Sequence, residues 1–254
     1  MDKRIGAQLY TIRDYCETNE SFDQAMKKVS EIGYKTVQIS GIKVDDARLI
    51  REICDKYGLE IICTHRGYTN FLEDIDAEIE RHKIYGCDYA GVGGLPGDAK
   101  ETKEIFFETI DKLNKISDVL KEHGLTFTYH NHEWEFRKFD GNKSYMDYMI
   151  ERGNFSLLAD VYWLAFAGIN PAKFIREHGD RIECIHFKDL KVKLTERAVT
   201  MCEIGCGNLD WDDIIAACEE VGVKYAFVEQ DTCETDSMGC LETSYNFLTT
   251  KGFN

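Results

Sequence analysis

The stretch Thr126 to Phe136, TFTYHNHEWEF, turns from a β-branched and aromatic run into a set of side chains that bind metals and move protons. Alternation over Thr126, Thr128, His130 and His132 puts both imidazoles on one face of a strand at its C-terminal end, and Glu133 and Glu135 follow at once. Three later apolar segments end the same way, with one chemical group each. SLLADVYW ends in Asp160, RIECIHFKD presents His186 ahead of Lys188 and Asp189, and YAFVEQD presents Glu229. Brought together, Asp160, His186 and Glu229 with one ligand from the Thr126 strand mix imidazole nitrogen with carboxylate oxygen. That donor set suits Mn²⁺, Mg²⁺, Co²⁺ or Zn²⁺ more than a thiolate-bound metal.

Each of these residues also has a structural reading. Asp160 at the end of an apolar strand caps the following helix, and His186 between Ile185 and Phe187 packs as a core histidine. Glu229 fits such a reading less well, because a buried carboxylate demands a partner. Two imidazoles two residues apart on one strand face are rarely needed for packing, so the strand ends taken jointly point to a shared polar site. The cysteines do not compete with it. Cys202, Cys206, Cys233 and Cys240 lack the paired spacing of a zinc ribbon, and Cys63, two residues from His65, lines the mouth or core more naturally than it serves as a nucleophile.

The elements that must position these groups repeat along the chain. Short apolar runs (IGAQLYT, KTVQIS, LEIICTH, DYAGVG) alternate with amphipathic stretches. Ser21 and Gln24 are spaced as a capping box ahead of Phe22, Ala25, Met26, Val29 and Ile32. Further helices are expected over Ala47 to Cys54, Asp74 to Tyr85, up to His123, Tyr145 to Glu151, Trp211 to Glu220 and Met238 to Leu248. Gly33, Gly58, Gly86, Gly124, Gly153, Gly179 and Gly222 each stand before a strand, as a left-handed residue closing a helix would. A long polar connection is expected from Leu190 to Leu209. Eight such units predict a closed (β/α)8 TIM barrel forming one domain over residues 1–254. The glycines of GVGGLPG, Gly91 to Gly97, lack dinucleotide-fold order and follow the fourth strand, which argues against an open doubly wound sheet. In a barrel the C-terminal strand ends share one mouth, which makes a site of residues far apart in sequence.

The 254 residues carry a formal charge of −15, and the pI near 4.9 argues against nucleic-acid and anionic-membrane partners, which are bound through basic patches. Ten cysteines scattered without regular spacing suit reduced thiols. MDKRIGAQLYTI lacks a signal-peptide core, and no apolar run approaches a membrane span, so a cytoplasmic protein is expected.

YHNHEWEF (129–136), LADVYWLAFAGINP (158–171), IHFKD (185–189), EIGCGNLDW (203–211) and VEQD (228–231), with IGAQLYTIRD and GYKTVQISG near the start, resemble the sugar phosphate isomerase/epimerase family with the xylose-isomerase-like barrel. The resemblance implies a divalent metal held by ligands from strands five to eight, and Asp160, His186 and Glu229 match the last three. His130 stands where better-known epimerases carry Glu, with His132 and Glu135 as the alternates. It further implies isomerisation or epimerisation of a sugar or polyol through an enediolate, with Glu229 moving the proton, His130, His132 or Glu135 opposite it, and Lys188 steadying negative charge. His65, Tyr10 and Trp163 are the expected substrate contacts, and barrels of this type often form homodimers. Elimination by a lyase acting on a keto-sugar or keto-inositol uses the same enolate and is the alternative, as is a catalytically silent sugar-binding barrel. Members of the superfamily that cleave abasic DNA need a basic track, which a charge of −15 does not offer.

Overall fold

A computed structural model describes residues 1–254. The strands are β1 (Gly6–Gln8), β2 (Thr36–Ser40), β3 (Glu60–Arg66), β4 (Tyr89–Val92), β5 (Thr126–His130), β6 (Lys138–Asp140), β7 (Lys143–Ser144), β8 (Ser156–Asp160), β9 (Ile182–Phe187), β10 (Asp189–Val192), β11 (Val199–Cys202) and β12 (Tyr225–Val228). The helices are α1 (Asn19–Ile32), α2 (Ala47–Lys56), α3 (Tyr68–Glu73), α4 (Ile75–Tyr85), α5 (Lys103–Glu122), α6 (Tyr145–Arg152), α7 (Val161–Phe166), α8 (Pro171–His178), α9 (Trp211–Val221) and α10 (Ser237–Thr250). Eight strands close into one parallel barrel in the order β1, β12, β9, β8, β5, β4, β3, β2, as the repeating units predict. The remaining four form two antiparallel hairpins, β6 with β7 and β10 with β11. No helix is long and apolar enough to cross a membrane.

Three local expectations are corrected. Helix α1 is capped by Thr18, whose side chain accepts from the Ser21 amide while Ser21 answers to Thr18, so Ser21 is the third helical residue and not the cap. Gly33, Gly58, Gly86, Gly124 and Gly222 do take positive φ, but Gly153 and Gly179 sit at φ −80° and −60°. Close approach explains those two: a Cβ would lie 2.7 Å from the Phe155 ring at Gly153 and 2.3 Å from Val221 at Gly179. The connection from Leu190 to Leu209 contains the β10–β11 hairpin, paired from Asp189↔Cys202 to Val192↔Val199.

One buried carboxylate ties that connection down. Asp189 accepts from the amides of Leu190, Gly205, Gly207 and Leu209 at 2.7, 2.9, 3.1 and 3.3 Å, and from the Trp211 indole at 2.8 Å. A Cβ at Gly207 would meet Asp189 Oδ1 at 2.2 Å, so the glycine is what lets the backbone come this close.

Inside the barrel, Ile62, Cys63, Tyr89, Leu158, Cys184 and Phe227 form a separate apolar cluster. Four of them lie two residues before His65, Asp160, His186 and Glu229 on β3, β8, β9 and β12, so the plug sits directly beneath the mouth. Gly6 gives the Phe227 ring its room, since a Cβ there would stand 2.3 Å from it.

Candidate metal centre

The ends of β5, β8, β9 and β12 carry His130, Asp160, His186 and Glu229 to one point, where their ligand atoms all lie within 4.8 Å of one another. All four are buried. His130 Nε2 is 3.2 Å from Asp160 Oδ2 and 4.0 Å from Glu229 Oε2, while His186 Nδ1 is 3.8 and 2.9 Å from the same two oxygens.

Second contacts fix the histidine tautomers. His186 Nε2 faces Gln38 Oε1 at 2.6 Å, and His130 Nδ1 faces the Gly93 carbonyl at 3.4 Å. Both oxygens can only accept, so these nitrogens carry the protons and the other nitrogen of each ring turns its lone pair inward. His186 Nδ1 is near Glu229 yet off hydrogen-bond geometry, which leaves it without a partner. Two inward lone pairs beside two carboxylates, one nitrogen unpaired, are what a divalent cation requires, and the residues present fit one. Without a cation between them, burial pushes His186 down, but Glu229 and Asp160 outweigh it and raise it to about 9. Burial likewise opposes ionisation of Asp160 and Glu229, and Lys188 with the imidazoles overrides it and holds both low.

Asp160 caps the following helix as its structural reading expects, and its other oxygen is turned to the cluster. Oδ1 caps α7 through the Tyr162 and Trp163 amides at 2.9 and 3.2 Å, and Oδ2 faces the cluster. Lys188, 1% exposed, donates to Asp160, Glu229 and Asp231 at 3.3, 3.0 and 2.8 Å.

Above the cluster opens a cavity of about 700 Å³ lined in part by Tyr10, His65, His130, His132, Lys188 and Glu229. Glu135 and Trp163 do not line it. Glu135, fully buried, accepts from the Tyr129 hydroxyl and the His132 amide, both at 2.8 Å, and burial raises it to about 8. Trp163 packs against His132 with ring centroids 5.5 Å apart and lies 5.1 Å from the Lys188 ammonium. Burial and His130 push His132 down to about 3.

Sequence reasoning missed Gln8, Gln38, Asn131 and Asp231. Gln8 donates to Glu229 Oε1 at 2.6 Å from the neighbouring strand, and it pairs in register with Gln38, so β1 and β2 each brace one member of the cluster. Asn131 accepts from the Asp160 amide at 2.9 Å. The available signal was a glutamine within each of the first two apolar strand runs, GAQ and TVQIS, and both prove buried. Gly93 and Gly94 leave space for the histidines, since a Cβ would come within 3.3 Å of His65 and 3.2 Å of His132.

By sequence the chain is similar to an inosose dehydratase of Geobacillus kaustophilus, 22% identical over 68% of this chain and 64% of that protein. It therefore spans just under two thirds of that relative's length. By structure it is similar to a sugar phosphate isomerase/epimerase from Parabacteroides distasonis (TM-score 0.79, 17% identical, covering 97% of this chain and 93% of the other). It is also similar to a xylose isomerase-like TIM barrel protein from Mycobacterium smegmatis solved in complex with magnesium (TM-score 0.75, 12% identical, 98% and 97% covered). A model of the xylose isomerase-like TIM barrel family matches residues 26–237, and the chain belongs to that family.

Proposed function

We propose that the chain is a divalent-metal-dependent lyase that removes water from a hydroxy-ketone of the sugar or cyclic-polyol kind. The observation that carries the reading is the distribution of carboxylates around the cavity. Glu229 and Asp231 are the two that line it, and both come from the end of β12, across the barrel from His65, His130 and His132. Proton chemistry confined to one wall suits removal of a C–H proton and delivery of a proton to a leaving hydroxyl on the same face. Epimerisation needs acid/base groups on both faces of the carbon, and the opposite wall offers imidazoles but no second carboxylate, with His132 pushed down to about 3 by burial and His130. The likeness to an inosose dehydratase supports the same reading.

His130, Asp160, His186 and Glu229 would hold the ion, which when bound polarises the substrate carbonyl and acidifies the adjacent C–H. Glu229 has both oxygens engaged, Oε1 by Gln8 and Oε2 by Lys188, the posture of a ligand more than of the proton carrier expected from sequence. Asp231 accepts from Lys188 at Oδ1 and leaves Oδ2 without a protein donor. Asp231 is therefore assigned the proton: it takes it from carbon as the C=C bond forms, then returns it to the β-hydroxyl as the C–O bond breaks and water leaves. The Lys188 ammonium, shared among Asp160, Glu229 and Asp231, acts through those carboxylates by holding them in place beside the substrate. His65 and His132 hold substrate hydroxyls from the far wall, with the Tyr10 ring at the rim. Glu135 and Trp163 act by positioning His132.

A 1,2-isomerisation, in which the proton returns to the neighbouring carbon on the same face, is the second reading, favoured by the same single wall. Mn²⁺-loaded protein incubated in D₂O with a panel of ketoses and keto-inositols separates them. Products lighter by one water support the lyase, and deuterated isomers of unchanged skeleton support the isomerase. A metal-replete protein that neither exchanges protons nor converts any of the panel defeats both and leaves a sugar-binding barrel.

A further inference from the structure

We infer that the cavity takes an uncharged polyhydroxy ketone and refuses its phosphate ester, and that Glu78 enforces this choice; the inference rests on the hydroxy-ketone reading above. An arginine in a cavity wall is ordinarily a ready anchor for phosphate, because its fork matches two oxygens at once. Arg66 lines this cavity, and with Lys188 it completes the lysine and arginine side chains that do so. Neither is available. Lys188 divides its ammonium among Asp160, Glu229 and Asp231. Arg66 is locked onto Glu78: Nε lies 3.1 and 3.0 Å from the two carboxylate oxygens and Nη2 lies 3.0 Å from Oε1, while Nη1 reaches Asp45 at 3.3 Å.

Glu78 is 4% exposed on α4, so water cannot replace the guanidinium. A phosphate that drew Arg66 away would leave the buried Glu78 carboxylate with only the Arg81 guanidinium, 3.9 Å off, and Glu229 and Asp231 would repel it from the same cavity. Arg13, beyond Tyr10, donates to the Tyr10 and Asp231 carbonyls and opens on a separate groove lined by Asp14, Asp231 and Asp236. The rest of the cavity wall includes neutral hydrogen-bonding groups such as Gln8, Ser40 and Thr69, with the rings of Tyr10 and Tyr68. Those groups complement the hydroxyls and C–H faces of a polyol.

The test uses the full chain loaded with Mn²⁺. Ketoses and keto-inositols are assayed free and as phosphate esters, and inorganic phosphate is titrated calorimetrically. The free compounds should be preferred by about 100-fold in kcat/KM, and millimolar phosphate should give no binding isotherm. Glu78→Gln should raise the relative use of the ester about tenfold, whereas Glu78→Asp, which keeps the charge, should not. Preference of the unaltered protein for the ester overturns the inference. So does saturable phosphate binding that Arg66→Gln abolishes. If no compound turns over, the hydroxy-ketone reading fails, and the phosphate titration still decides the role of Glu78: binding lost in Arg66→Gln refutes the refusal of phosphate, and absence of binding upholds that refusal.

Discussion

On β3, β8, β9 and β12 two successive inward positions meet opposite surroundings. Cys63, Leu158, Cys184 and Phe227 pack into the apolar plug, and His65, Asp160, His186 and Glu229, two residues further along, face the polar mouth. The step between them is about 7 Å. Below it the barrel is filled by apolar contact, with the Tyr89 hydroxyl donating outward to Glu183; above it polar groups pair with one another, His65 Nε2 and His186 Nδ1 being among the exceptions. The plug excludes water from beneath the charges, which strengthens each interaction among them and raises the cost of any that is left unpaired. Stability and chemistry are thus separated along the strands and not among them.

Substitutions at the mouth should have the largest effects and separate two roles. Asp231→Asn should cut turnover about 10³-fold while the protein still binds one equivalent of Mn²⁺, whereas Glu229→Gln should weaken the metal itself. Equal loss of metal in both variants would return the proton to Glu229. One layer down, Phe227→Ala should cost about 3–5 kcal/mol in denaturant unfolding while the folded fraction keeps its metal affinity. Loss of affinity in that folded fraction would show that the two layers are coupled.

Removing a brace should have a smaller effect. Gln38→Leu frees the His186 tautomer and should lower Mn²⁺ affinity about 10- to 100-fold, read by titration. An unchanged affinity would mean that the ring is fixed by packing alone.

A separate effect, on stability alone, concerns Glu135, buried beside the mouth but outside the cavity. Its carboxyl is raised from 4.5 to about 8, chiefly by burial, so the fold prefers it protonated. Stability from this group is present below pH 4.5 and is lost as the pH rises through about 8, with a slope of at most about 1.4 kcal/mol per pH unit. Glu135→Gln should remove that slope from the unfolding free energy. Identical pH profiles for the two proteins would place the shift elsewhere.

The barrel was legible because β-branched runs punctuated by glycine recur at a nearly constant spacing, and the ligand cluster because ionisable residues end otherwise apolar strands. Gln8 and Gln38 were not legible. Their worth lies in Glu229 and His186, 221 and 148 residues away, and only barrel closure brings them together. Asp231 stood in the quoted VEQD motif, but which carboxylate has a free oxygen depends on where Lys188 points. His130 and His132 were placed on one strand face, yet β5 ends at His130, and His132 reaches the cavity from the turn that Glu135 holds. The hairpin within 190–209 escaped notice because Lys191, Lys193 and Glu196 make its strands and tip read as loop.

Asp189 gathers five donors from the segment that follows β9, so this side of the rim is anchored close to the barrel, and the hairpin projects beyond the anchor. Its outer end, around the fully exposed Leu194, borrows nothing from the polar mouth. New loops, tags or binding epitopes grafted between Lys193 and Ala198 should therefore leave the reaction untouched, making this the natural place for the chain to acquire a second occupation.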